Sequence, residues 1–382
     1  MPVPVQVPLP PQYDTLSADE LRRRIAERKA QLGRALCILA HHYQRDEIVD
    51  LADFTGDSLK LSQLAAAQAA AKYIVFCGVH FMAESADVLS APEQVVILPH
   101  LQAGCQMAEM ADATGVAAAM DELAELTDAK VVPITYVNSS AAIKALTGRA
   151  GGACCTSSNV RNVFDWALGP AARGGAGGGK VFCLPDQHLG RNTAAAMGFD
   201  DDACAVYDPD LPDGGLSPAD VQRATFILWK GYCYVHQRFC PEHVLAVREQ
   251  HPDIRVIVHP ECPREVVRLA DASGSTEQII RAVVAGRPGS QWAVGTESNL
   301  VNRLARRHAD RFVRVLSDAP ALCAMMPRID LPHLLWVLDH LADGQVVNQV
   351  SVVPAVAADA RTALDRMIAI KAVQDVSPER GR

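Results

Sequence analysis

The stretch Ala35-Leu36-Cys37-Ile38-Leu39-Ala40-His41-His42-Tyr43-Gln44 decides the fold. An apolar run the length of a strand gives way at once to side chains able to carry chemistry, as parallel strands do where they end on the ligand side of an open α/β sheet. Outward from it the same plan recurs. Strand-like runs at 73–77 and 94–98 complete a first group, 131–136, 153–156 and 180–184 a second, and 224–228, 255–259 and 291–295 a third, with a further strand expected at 311–316. Each is followed by a polar turn and an Ala- and Leu-rich helical stretch, so the pattern predicts an α/β protein with parallel strands and crossover helices, built from three successive units of similar plan. Helical periodicity returns at 331–341 and 355–372 as a closing segment. The domains expected are an N-terminal arm and first helix (1–30), α/β units over 31–115, 116–205 and 206–330, and a helical closing segment (331–382). Residues 1–13, rich in Pro and Val without period, are read as an extended arm outside the core.

Composition narrows the function classes. A chain of 382 residues that is 49% hydrophobic and 21% charged can bury a sizeable core and is neither disordered nor fibrous. Its 36 basic against 44 acidic residues give a net charge of -8, with no basic block to favour nucleic acid. No apolar run has the length of a membrane span, and Met1-Pro2-Val3-Pro4 lacks the charged start of a signal peptide, so a cytoplasmic location is expected. The 11 cysteines are odd in number and include no Cys-x-x-Cys pair, which argues against a disulfide framework, zinc ribbons and ferredoxin spacings.

Two sets of turns could carry chemistry. Gly56-Asp57-Ser58, Asn138-Ser139-Ser140, Thr156-Ser157-Ser158-Asn159 and Gly274-Ser275-Thr276 open helices with small hydroxyl residues. Taken singly each reads as an N-cap; four together favour a small anionic substrate held by hydroxyls and amides at helix starts. His41-His42-Tyr43-Gln44, Tyr136-Val137-Asn138 and His259-Pro260-Glu261 bring imidazole, phenol and carboxylate to strand ends, the content needed for proton transfer. Burial and a nearby substrate carboxylate are expected to raise the pKa of Glu261. The Gly-rich run 174–180 imitates a phosphate-binding loop, but Val181 stands where the magnesium-ligating hydroxyl belongs and the run precedes a strand, so it reads as a linker. Cys105, Cys233 and Cys323 lie in turn-like contexts; on spacing alone, inert thiols are favoured over a metal site.

Taken as an ordered set over nearly the whole chain, these motifs resemble the quinolinate synthase family. The resemblance rests on His41-His42-Tyr43-Gln44, Gly56-Asp57-Ser58-Leu59, Phe76-Cys77-Gly78-Val79-His80, Ala103-Gly104-Cys105, Tyr136-Val137-Asn138-Ser139-Ser140, Thr156-Ser157-Ser158-Asn159, Pro185-Asp186-Gln187-His188-Leu189-Gly190-Arg191, Gly231-Tyr232-Cys233-Tyr234-Val235-His236, His259-Pro260-Glu261-Cys262 and Gly274-Ser275-Thr276. It implies three α/β units with short parallel sheets around a pseudo-threefold axis. It also implies a 4Fe-4S cluster on Cys105, Cys233 and Cys323, with one iron left open as a Lewis acid. After Cys323 the family pattern has Met then Lys, whereas here Met326 is followed by Pro327. The reaction implied condenses iminoaspartate with dihydroxyacetone phosphate to quinolinate, losing phosphate and two waters, in NAD biosynthesis, with functional coupling to L-aspartate oxidase. By resemblance His41, Tyr43, Tyr136, His259 and Glu261 are catalytic. His41, Ser58, Tyr136, Asn138, Ser157, His259, Glu261 and Thr276 hold substrate, His236 is a further candidate, and His42 is given no role. Two other classes fit an open cluster: a hydro-lyase acting on a hydroxy acid, which needs no triose phosphate, and a non-catalytic iron-sulfur sensor.

Overall fold

Every residue of β1 (Leu36–His41) and β3 (Tyr73–Cys77) is buried, because a parallel strand in this class is covered by helices on both faces and has no solvent side to alternate with. The computed structural model describes residues 5–68, 70–169, 179–370 and 377–378. It divides into two units, one comprising the chain through Cys105 rejoined by Cys323–Pro354, the other Gln106–Leu322 with the chain from Ala355 onward.

The first unit holds one sheet. Around β1 lie β2 (Phe54–Gly56) on one side, β3 and then β4 (Val95–Ile97) on the other, all parallel, and β14 (Gln349–Val350) adds antiparallel to β4. In the second unit, β5 (Val131–Tyr136) is flanked by β6 (Ala153–Cys155) and by β7 (Lys180–Leu184), followed by β9 (Phe226–Trp229) and β8 (Cys204–Tyr207), all parallel. The third sheet sets β10 (Arg255–Val258) between β11 (Ala272–Ser273) and β12 (Gln291–Gly295), with β13 (Phe312–Val315) beyond β12 and β15 (Ser377–Pro378) antiparallel to β11. Counting only the strands that share the plan, each sheet has the order second, first, third, fourth. Four parallel strands in one order, three times over, is the repeat that residue identity alone did not reveal.

Two sequence expectations change. Residues 224–228, expected in the third group of strands, instead supply β9, which lies between β7 and β8 in the second sheet; a strand read only by its apolar run carries no mark of its partner. Residues 1–13, expected outside the core, contribute to it: Pro11–Asp14 forms a helical turn and Tyr13 is buried, its hydroxyl donating to Asp339 at 2.9 Å. Arg24 and Arg28 bond the two oxygens of the same carboxylate at 2.8 and 2.7 Å, which docks helix Ala18–Leu32 on helix Leu331–Ala342. Most of the Gly-rich run 174–180 lies outside the described residues. Among the described residues no helix is long and apolar enough to cross a membrane.

The cores follow from the same runs. Under the second sheet, Phe182, Tyr207 and Trp229 pack with ring centroids 5.7 to 6.3 Å apart, and the Tyr207 hydroxyl donates to Glu122. Large rings of this kind dominate core energetics, and the tyrosine keeps a partner for its polar tip.

Candidate active site

The repeated strand order gives the candidate residues repeated addresses. The first strand of each sheet runs into His41-His42-Tyr43, Tyr136-Val137-Asn138 or His259-Pro260-Glu261; the second runs into Asp57-Ser58, Thr156-Ser157 or Ser275-Thr276. Along the chain a cysteine follows the fourth strand each time: Cys105 after β4, Cys233 after β9, Cys323 after β13.

In the second unit these addresses form a buried polar cluster. Glu261, His236 and His259 are all at most 2% exposed. Glu261 Oε2 lies 2.7 Å from His236 Nδ1, and His236 Nε2 lies 3.1 Å from the Thr296 hydroxyl. The His236 and His259 rings stack with centroids 4.5 Å apart and planes 14° from parallel. His259 Nδ1 accepts the Glu261 backbone amide at 3.3 Å, and its Nε2 is 3.2 Å from Ser157 Oγ. Burial pushes the His259 pKa down to about 3 against a partial pull upward from Glu261, so this ring is neutral. Burial by itself would raise the pKa of Glu261, as the sequence reading expected. Interactions with the neighbouring His259 and His236 rings, with hydrogen bonds from His236 and Tyr136, outweigh it, bringing the carboxyl from 4.5 to about 2. Glu261 is therefore an ionised acceptor held by two side-chain donors. Asn138 is half-buried, and its Oδ1 is shielded from solvent without a hydrogen-bond partner among the described residues, an acceptor left over for a ligand.

Asp186, quoted in the sequence motif without a role, proves central. Its Oδ1 caps helix Gln187–Ala196 by accepting from the Leu189 amide at 2.7 Å, and its Oδ2 accepts the Cys233 amide at 3.2 Å. Burial, reinforced by the charge of Glu261, pushes its pKa well above the ordinary carboxylate range. The approach requires Gly231: a Cβ there would stand 2.2 Å from the Pro185 carbonyl oxygen. Ligand atoms of Cys233, His236 and Glu261 all lie within 4.8 Å of one another.

In the first unit His41 is buried and repeats the arrangement of His259, its Nδ1 accepting the Tyr43 amide at 3.1 Å. The Tyr43 ring meets it edge-on at 4.7 Å. Neither Ser58 nor Thr276 is the cap of its helix. Asp57 caps the helix that Ser58 begins, and Ser275, in a capping box with Gln278, caps the helix that Thr276 begins. Capping therefore does not account for Ser58 or Thr276.

Thiol chemistry sorts the cysteines. Burial pushes Cys37, Cys77 and Cys154 to about 12, Cys204 to about 11, and Cys155, Cys183 and Cys262 well above 9. Cys240 is also raised, chiefly by burial. Thiolate is the ligand form, so these eight are poorly suited to hold iron. The other three, Cys105, Cys233 and Cys323, are all partly exposed.

The family model described as quinolinate synthetase A protein matches residues 23–369. A protein named quinolinate synthase from Acidobacterium capsulatum is 52% identical over 363 residues, covering 94% of this chain and 95% of its own. One of the same name from Geobacillus sp. (strain WCH70) is 49% identical over 362 residues, 95% of this chain and 96% of its own. Another, from Bacillus cereus, is 47% identical over 365 residues, 96% and 97%.

Proposed function

The chain belongs to the quinolinate synthase family and is an enzyme of NAD biosynthesis; on that premise we propose that it condenses iminoaspartate with dihydroxyacetone phosphate to quinolinate, releasing phosphate and two waters. The observation that carries this reading is the repeated address, with a ring or carboxylate after each first strand, a hydroxyl after each second, and a cysteine after each fourth. A substrate pair with two carboxylates and a phosphate needs several anion holders, and a condensation with two dehydrations needs several proton positions. The repeated strand order also supports the expected set of three similar α/β units.

We assign a 4Fe-4S cluster to Cys105, Cys233 and Cys323. The chemistry of the donor set fits, since these three thiols are partly exposed beyond strand ends, and Asp186 holds the Cys233 backbone through its amide. When bound, such a cluster supplies a Lewis-acidic iron free of a protein ligand, able to polarise a carboxylate or hydroxyl oxygen.

The remaining work falls to the chain's own groups. Ionised Glu261 is the proton acceptor, with its Oε2 set by His236 and its charge tuned by Tyr136; a substrate carboxylate arriving beside it would raise its pKa and let it return the proton to a departing hydroxyl. Neutral His259 and His41 present Nε2–H as donors to carboxylate or carbonyl oxygens. Ser58, Ser157 and Thr276 donate hydroxyls to anionic groups, Asn138 Oδ1 accepts from an imine or hydroxyl, and Tyr43 supplies a phenol beside His41. The imine is the two-electron oxidation product of aspartate, so an enzyme that oxidises aspartate supplies it, which supports functional coupling to L-aspartate oxidase. An anaerobic assay of the reconstituted enzyme, with iminoaspartate generated in place, tests the reading. Quinolinate is expected only when dihydroxyacetone phosphate is present; turnover of a hydroxy acid without it would move the protein to the hydro-lyase class.

A further inference from the structure

We infer that Asn192 is a positioning residue that holds Glu261 in register through the backbone of its turn. The inference rests on the reading of Glu261 as the group that moves protons. Glu261 sits at the third position of a tight turn, closed by the Cys262 amide donating to the His259 carbonyl at 3.0 Å. The turn is tied back to its own sheet at the ends, where the His259 amide and the Cys262 thiol both reach the Gly295 carbonyl. Its middle is held from another direction. Asn192, on helix Gln187–Ala196, donates through Nδ2 to the carbonyls of Pro260 and Cys262, each at 2.8 Å, one on either side of Glu261.

Asn192 is only 4% exposed, and its Oδ1 is buried with no hydrogen-bond partner among the described residues. Burying an unpartnered amide oxygen is costly, and an apolar side chain would avoid it. The position therefore keeps its asparagine for the two donor bonds, and the only thing those bonds hold is the Glu261 turn. The same helix begins at Asp186, whose carboxylate accepts the Cys233 amide. One rigid element thus contacts both segments that feed the buried cluster: at its N-cap the loop carrying Cys233 and His236, and about a turn and a half further on the turn carrying Glu261. A shift of Glu261 by a fraction of an ångström would lengthen its 2.7 Å bond to His236 without removing any group from the site.

The test compares Asn192→Ala and Asn192→Asp with the wild-type chain, all reconstituted anaerobically. Asn192→Asp keeps the side-chain volume and removes both donors. Thr193→Ala disturbs the neighbouring buried position of the same helix without touching the turn. In both Asn192 variants we expect at least tenfold faster hydrogen exchange at the Glu261 and Cys262 amides. We also expect kcat for quinolinate to fall at least tenfold, with KM within twofold and iron and sulfide content unchanged. Thr193→Ala should leave exchange at those amides within twofold of wild type. Unchanged exchange in Asn192→Ala, or equal acceleration in Thr193→Ala, would overturn the inference. Because exchange is measured without turnover, a wild-type chain that makes no quinolinate would sink the functional reading and still leave the clamp decided by the exchange data.

Discussion

The Glu261 amide donates to Nδ1 of His259 at 3.3 Å. A ring nitrogen that accepts cannot carry hydrogen, so the neutral imidazole keeps its proton on Nε2, directed to Ser157 Oγ at 3.2 Å. His41 is treated alike by the Tyr43 amide. At two first-strand ends the amide two residues ahead selects the tautomer, and the histidine is turned into an outward donor. The residue spacing His-x-Glu and His-x-Tyr serves this purpose before it serves any acid/base partnership between the side chains.

The first prediction concerns acid stability. Unfolded His259 titrates at the ordinary 6.5, whereas burial lowers it to about 3 in the folded chain. Below pH 6.5 the unfolded state therefore binds a proton that the folded state refuses, and stability is lost as pH falls, by up to about 1.4 kcal/mol per pH unit for one group. Glu261, lowered from 4.5 to about 2, adds a loss of the same sign only below pH 4.5. Urea midpoints measured from pH 6.5 to 4.5 should fall less steeply for His259→Asn than for the wild type. Parallel slopes would place the sensitivity elsewhere.

Glu261→Gln should retain substrate binding and full iron content while kcat drops by about 10²- to 10⁴-fold, the range for loss of a proton-transferring group. Amide replaces carboxylate at similar size, so His236 and Tyr136 keep a nearby oxygen. Quinolinate formation at near wild-type rate would reduce Glu261 to a structural acceptor.

Ser58→Ala and Thr276→Ala should each lower kcat/KM by about 10- to 100-fold, since a hydrogen bond to a charged group contributes on the order of 1.5–3 kcal/mol. Melting temperature should barely move, because Asp57 and Ser275 do the capping. Ser275→Ala supplies the contrast, with a stability loss of about 1 kcal/mol. Should the first two variants melt early and turn over normally, the anion-holding role fails.

Alanine at Cys105, Cys233 or Cys323 should abolish stoichiometric iron and sulfide uptake in anaerobic reconstitution, while Cys37→Ala and Cys183→Ala load normally. The latter two thiols are buried, and their pKa values are pushed far up, which disfavours the thiolate that binds metal. Full loading of Cys233→Ala would undo the ligand assignment.

Sequence reading located most strands and the chemistry at their ends because both are local. An apolar run such as 36–41 and the residues just after it announce themselves without knowledge of the rest of the chain. What escaped it depends on distance or brevity. The strands β2, β11 and β14 are two or three residues long, too short for any period, so the sequence groups the turns of Ser58, Ser157 and Thr276 by their hydroxyls alone, and only pairing shows that each follows the second strand of its sheet. Asp186 meets Cys233 across 47 residues and Asn192 meets Pro260 across 68; neither partner marks the other in sequence. Tyr13 escaped because one aromatic in a Pro- and Val-rich stretch has no pattern to join. The direction of the Glu261 shift was missed because burial is legible from an apolar neighbourhood, whereas donors arriving from His236 and Tyr136 are not.

The discontinuity of the first unit bears on how the chain is made. Its sheet cannot be finished when Cys105 leaves the ribosome, because β14 and the helix bearing Asp339 belong to Cys323–Pro354. At about 5–20 residues per second, the nascent N-terminal segment waits roughly 12 to 50 s for them. Meanwhile the outer edge of β4 lacks its antiparallel neighbour and Arg24, Arg28 and Tyr13 lack their shared carboxylate. An unpaired edge beside an unfinished core invites pairing with another nascent chain. Slow translation of the intervening stretch is therefore expected to reduce soluble yield through aggregation of the early segment, measurable as the soluble fraction at different translation rates.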